Sequence, residues 1–160
     1  MPIMKKLTDL LEHLEYQCIQ GTTDKEISGI VSDSRKAGPG SLFFCIKGAV
    51  SDGHTYAKEV PDSRYAMACI SAAWFDHPAE KLKTIGITGT KGKTTTTYLV
   101  KSILENAGHK TGLIGTIETI IGEEHIPSAN TTPESYLVQE YFAKMVEAGC
   151  DSVVMEVSSQ

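Results

Sequence analysis

The chain has 160 residues, a formal net charge of −5, and 41% hydrophobic against 22% charged residues, the balance of an ordinary globular protein. No apolar run is long enough to span a bilayer, and no basic stripe offers the clustered Lys and Arg that a nucleic-acid backbone requires. The cysteines Cys18, Cys45, Cys69 and Cys150 lack the close Cys-x-x-Cys pairs of a zinc site and are expected as buried free thiols; the scattered histidines form no ligand pattern.

The opening stretch "MPIMKKLTDLLEHLEY" has no continuous apolar core of the kind a signal peptide carries. Leu7, Leu10, Leu11 and Leu14 recur at helical spacing and predict an amphipathic helix. "EISGIVSDSR" (26–35) and "SLFFCIKG" (41–48) read as strands separated by the turn signal Gly38-Pro39-Gly40. A helix is predicted around 63–75, and the charged stretch 75–83 with Pro78 marks a joint between two regions, taken as domains 1–80 and 81–160.

Beyond the joint the pattern becomes β-α-β. "KTIGIT" (83–88) predicts a strand, "TTTYLVKSILENAG" (95–108) a helix with Leu99, Val100, Ile103, Leu104 and Ala107 on its packing face, and Gly108 its C-terminal cap. "TGLIGTIETI" (111–120) reads as a second strand, 133–149 as a helix with Pro133 in its first turn, and "DSVVMEVSS" (151–159) as a third strand. The class is therefore α/β: a small α+β N-terminal domain followed by a parallel, doubly wound sheet. Three strands with helices after two of them leave an edge and a face uncovered, so the region is expected to be the first part of a larger domain.

The chemistry concentrates in "TGTKGKTTTT" (88–97). The common phosphate-loop pattern G-x-x-x-x-G-K-[ST] asks for glycine where this chain has Ile87, but the position is right: an apolar strand precedes the loop and an amphipathic helix follows. Gly89 and Gly92 permit backbone conformations closed to other residues, Lys93 can reach β- and γ-phosphate oxygens, and the Thr94 hydroxyl can ligate Mg²⁺. Consecutive threonines are mediocre helix formers, which directing their hydroxyls at phosphate and metal would explain; a threonine-rich helix start is the bland alternative.

Glu156 is an acid within the apolar "VVMEV", at the carboxyl end of a predicted strand, where a cation would account for a buried carboxylate. Asn130, Thr131 and Thr132 precede a helix and either cap it or contact a polar ligand. "SDSR" (32–35) reads as turn chemistry with one cation. On these residues alone, a nucleotide-binding module without ligase activity and an unrelated phosphate-loop NTPase both fit.

Taken together, "GITGTKGKTTT", "ANTTPES", "MEVSSQ" and the upstream "DSRKAGPGSLFFCIKGAVSDGH" resemble the Mur ligases, in the family's order and over nearly the whole chain. That family's own loop is G-T-x-G-K-[ST], which removes the objection from Ile87. The resemblance implies that Gly89, Thr90, Lys91, Gly92, Lys93, Thr94 and Thr95 hold ATP, with Lys93 acting in catalysis, and that Thr94 and Glu156 hold Mg²⁺. It further implies that Ser32, Ser34, Ala49, Val50 and Ser51 hold the uridine part of a UDP-muramoyl substrate, and that Asn130, Thr131, Thr132 and Ser158 contact its remainder.

The implied partners are UDP-MurNAc-L-Ala-D-Glu and a diamino acid, Lys or meso-diaminopimelate, in a cytoplasmic ligation through an acyl phosphate. Between "GHTY" and "SRYAMACI" the chain is shorter than the family pattern, and family segments beyond Gln160 have no counterpart. The resemblance therefore predicts an incomplete ligase, inactive by itself.

Overall fold

The computed structural model of the protein describes residues 4–45 and 63–158, and packing divides the chain into the units Met1–Trp74 and Phe75–Gln160. In the first unit the predicted N-terminal helix is cut to one turn. Lys5–Lys6 form β1, which pairs antiparallel with β2 (Glu26–Ile27), and α1 covers only Leu7–Leu10. Two features limit it: the flanking Lys6 supplies no capping side chain, and so short a helix persists only through packing, here the burial of Leu10.

The single strand expected over 26–35 is two. β3 (Gly29–Val31) leaves β2 and pairs parallel with β4 (Ser41–Phe43), so Ser28 separates partners in different sheets. A 3-10 turn at Ser34–Lys36 ends the extended run. α2 (Ser63–Trp74) matches its prediction and buries Met67, Ile70, Ser71 and Trp74, one helical stripe.

The second unit begins with a turn in which Asp76 and His77 take left-handed conformations before Pro78 opens a 3-10 helix, Pro78–Lys81. Its sheet has the order β5-β9-β6-β7-β8, formed by β5 (Lys83–Ile87), β6 (Thr111–Ile114), β7 (Glu118–Ile121), β8 (Glu124–Pro127) and β9 (Ser152–Glu156). β5, β9 and β6 are parallel, as predicted; β7 and β8 are antiparallel additions. The run 111–120 was expected as one strand, but the chain reverses after Gly115, and a second reversal at Gly122 (φ +59°) produces β8, so the sheet is mixed.

Helices α3 (Lys93–Asn106) and α4 (Ser135–Glu147) supply the crossovers. Both end in the same device: Gly108 and Gly149 take positive φ, their N–H groups bond to Glu105 and Val146 carbonyls, and the next N–H, of His109 or Cys150, reaches Leu104 or Met145. On one sheet face lies a core of Leu82, Ile114, Ile121, Phe142, Met145, Cys150 and Val153. Burying each such side chain contributes about 1.5–3 kcal/mol relative to exposure.

The α3 side is different. Its buried residue is Thr97, whereas Leu99 and Ile103 are 59% and 67% exposed, against the expectation that they pack. The helix starts two residues earlier than predicted, and its inward side runs through Thr94, Thr97, Tyr98, Val100, Lys101 and Leu104, so Val100 and Leu104 are shielded as expected and Ala107 is exposed with Leu99 and Ile103. The four thiols are free, but Cys150 alone is buried, and Cys18 is exposed.

Candidate functional site

The loop between β5 and α3 turns through two glycines at positive φ, Gly89 (+141°) and Gly92 (+78°). Gly92 is the N-cap of α3 and has no side chain to satisfy the helix's first N–H groups, which leaves them directed outward with the positive end of the helix. The Lys93 ammonium donates to the Gly89 carbonyl across the loop at 2.8 Å, so the cation lies over the same turn. Such a turn is a cradle for an anion.

The threonine run divides by role. Thr96 and Thr97 hydroxyls donate to carbonyls of Gly92 (2.9 Å) and Thr94 (2.8 Å), which is helix back-bonding and matches the bland alternative for those two. Thr94 is the exception: its hydroxyl donates to Glu156 Oε2 at 3.0 Å, joining the first turn of α3 to the carboxyl end of β9. Thr95 is exposed beside them, as are Thr90 and Lys91 in the loop.

Glu156 is 1% exposed, and an anion at that depth requires donors. Alternation along β9 sends Val153 to the α4 core and Glu156 to the α3 side. Beyond Thr94, the Thr116 N–H donates to Oε1 at 2.8 Å and the Thr116 hydroxyl to Oε2 at 3.2 Å. Carboxylate and hydroxyl oxygens side by side form a donor set suited to Mg²⁺, so Thr94 and Glu156 fit the ion.

The segment 130–132 meets this site. The Thr132 hydroxyl donates to the Glu156 carbonyl (2.9 Å), accepts from the Ser158 N–H (2.9 Å) and lies 3.0 Å from the Ser158 hydroxyl. Thr131 Oγ1 accepts from the Thr116 hydroxyl at 3.0 Å, and Asn130 is exposed. Capping does not account for these threonines: α4 begins after Glu134, whose side chain makes no cap.

Ser32 and Ser34 lie in the other unit, exposed around the 3-10 turn. There Asp33 accepts from the Arg35 backbone N–H and guanidinium, which holds its carboxyl down at about 2, and "SDSR" is turn chemistry as read. Ala49, Val50 and Ser51 lie outside the described residues.

The sequence reading missed Gly115 and Thr116, which a continuous strand over 111–120 concealed; a glycine inside a strand pattern was the available signal. It also missed Tyr98 on α3, whose hydroxyl donates to Glu118 Oε1 at 2.7 Å while His125 Nδ1 lies 2.8 Å from Oε2. Desolvation, the Glu118 hydrogen bond and the nearby carboxylate charges push Tyr98 up to about 12. Glu118 is lowered, chiefly by His125 and then by Tyr98.

Fold and site together define an α/β protein in which a glycine loop opens a helix beside a buried carboxylate at the end of a neighbouring strand. Residues 26–111 match the Mur ligase family, catalytic domain, and residues 87–160 the Mur ligase middle domain. The chain belongs to the Mur ligase family.

Among its relatives is the UDP-N-acetylmuramoyl-L-alanyl-D-glutamate--2,6-diaminopimelate ligase of Clostridium perfringens (strain 13 / Type A), 42% identical over 96% of this chain and 37% of the relative. The enzyme of the same name from Geobacillus thermodenitrificans (strain NG80-2) is 41% identical over 96% of this chain and 36% of its own length. The chain thus spans little more than a third of these relatives. The first alignment runs to 178 positions on a chain of 160 residues, so part of the matched region has no counterpart here.

A solved structure of an enzyme of that name shares the fold with a TM-score of 0.75, at 17% identity over 98% of this chain and 36% of that one. A UDP-N-acetylmuramoylalanyl-D-glutamyl-2,6-diaminopimelate--D-alanyl-D-alanyl ligase from Acinetobacter baumannii is similar at a TM-score of 0.51, with 21% identity over 99% of this chain and 37% of that one.

Proposed function

We propose that this chain carries the ATP-handling part of a cytoplasmic ligase of peptidoglycan precursor synthesis, one that joins a diamino acid to UDP-MurNAc-L-Ala-D-Glu. The observation that carries the reading is the meeting of Thr94 and Glu156 beneath the glycine loop that Lys93 spans. The names of the relatives support 2,6-diaminopimelate as the diamino acid.

In this reading Gly89 to Thr95 hold the phosphates of ATP through loop N–H groups and the Lys93 ammonium. Mg²⁺, held by Thr94 and Glu156, supplies neutralisation of phosphate charge. Lys93 stabilises charge on the transferred group as the carboxylate of the dipeptide substrate attacks the γ-phosphorus and ADP departs. The diamino acid's amine then attacks the acyl phosphate carbonyl, forms the amide and releases phosphate. In the same reading Asn130, Thr131, Thr132 and Ser158 orient the muramoyl peptide toward that chemistry, which the bonds of Thr132 to Glu156 and Ser158 support, while Ser32, Ser34 and Ala49 to Ser51 take its uridine end.

The test is an ADP-release assay on the protein as it is made in its own cells. Release that requires both UDP-MurNAc-L-Ala-D-Glu and diaminopimelate, and that disappears in Lys93→Ala, is expected. Hydrolysis independent of the UDP substrate would replace the ligase with a simple NTPase.

A further inference from the structure

We propose that Thr116, in the turn between β6 and β7, is a positioning residue that sets the orientation of the Glu156 carboxylate toward the cation. This rests on the reading of Thr94 and Glu156 as the Mg²⁺ site. Among the described residues that buried carboxylate has three donors, and Thr116 supplies two: its N–H pins Oε1 at 2.8 Å, and its hydroxyl approaches Oε2 at 3.2 Å. The third, the Thr94 hydroxyl, shares Oε2 at 3.0 Å.

The turn is built for this approach. The Gly115 N–H bonds to the Glu118 carbonyl at 3.1 Å, closing the reversal, and a Cβ at Gly115 would come within 2.7 Å of Glu156 Oε1. The Thr116 hydroxyl also lies 3.0 Å from Thr131 Oγ1, so its one proton has two acceptors, one on the carboxylate and one in the segment 130–132. Oε2 accepts the hydroxyl through one lone pair and keeps another for a cation, while the backbone N–H fixes Oε1. Thr116 thereby connects the segment 130–132 to the cation acid through a single hydroxyl.

Mn²⁺ serves as the probe, with its binding to the 160-residue chain in saturating ATP followed by water-proton relaxation, and ATP affinity measured separately in EDTA. Thr116→Val keeps the N–H and the shape but removes the hydroxyl; Thr116→Ser retains it, and thermal melts establish that each variant is folded. Removing a partner of a metal-holding carboxylate is expected to weaken Mn²⁺ binding by about 10-fold or more in Thr116→Val, with Thr116→Ser within about threefold of wild type and ATP affinity in EDTA unchanged.

Equal Mn²⁺ affinity in Thr116→Val and wild type overturns the proposal. So does an equal loss in Thr116→Ser, or a loss of ATP affinity that is the same with and without Mn²⁺. Failure of the wild-type chain to bind ATP, or undiminished binding by Lys93→Ala, is a different result and overturns the phosphate-site reading itself.

Discussion

Gly115 is a residue whose missing side chain shapes the site. A methyl group there would lie 2.7 Å from Glu156 Oε1, which the Thr116 N–H holds in place, while Leu113 Cδ2 at 3.4 Å is in ordinary contact. Gly115→Ala is expected to destabilise the chain by about 1–3 kcal/mol through overpacking, read as a lowered urea midpoint with unchanged slope. A midpoint equal to wild type would mean that the carboxylate has another place to go. The candidate residues Lys93, Thr94 and Glu156 were legible because a strand, a glycine loop and a helix announce themselves locally. Thr116 was not, because its role depends on a strand reversal and on a carboxylate 40 residues away in the chain.

At the scale of elements, α3 corrects a pattern-based expectation. Leu99 and Ile103 share a plausible helical stripe, yet the shielded side is that of Thr97, Tyr98, Val100, Lys101 and Leu104. The Thr94–Glu156 and Tyr98–Glu118 bonds both hold that side of the helix toward the sheet. Periodicity identifies a stripe but not which of two adjacent stripes the rest of the fold will cover. Ile103→Lys should therefore change stability by no more than about 0.5 kcal/mol, whereas Met145→Ala, in the α4 core, should cost about 2–5 kcal/mol. Chemical unfolding of both variants decides it, and a large loss in Ile103→Lys would count against the observed rotation.

The link from α3 to the β7–β8 hairpin carries a pH signature. Glu118 is held below its ordinary value of 4.5 by His125 and Tyr98, so its contribution is present above the unfolded carboxylate's pKa and lost as pH falls through the folded one. Asp33 and Asp151 are lowered as well and lose their contributions on the same acid side. Glu118→Gln should accordingly flatten the fall in stability below pH 4.5 without abolishing it, measured as urea midpoints across that range. An unchanged acid profile would show that the Tyr98–Glu118–His125 contact carries no proton-linked energy.

For the molecule as a whole, the glycine loop, Lys93, Glu156 and the segment 130–132 all belong to Phe75–Gln160, while Ser32 and Ser34 belong to Met1–Trp74. The β-α-β order of the second unit was readable because each element carries its own apolar period and glycine caps. The first unit was less so: β1 through β4 are two or three residues long, and their pairing follows from partners distant in sequence rather than from local propensity.

The central claim is that Lys93 and Glu156, 63 residues apart in the chain, form one Mg·ATP site. Calorimetric titration of ATP into the chain, with and without Mg²⁺, tests it in wild type, Lys93→Ala and Glu156→Gln. Saturable binding that Lys93→Ala loses in both conditions, and that Glu156→Gln loses only in its enhancement by Mg²⁺, is the predicted result. Binding that ignores Mg²⁺ in the wild type, or that survives Lys93→Ala intact, would contradict the account.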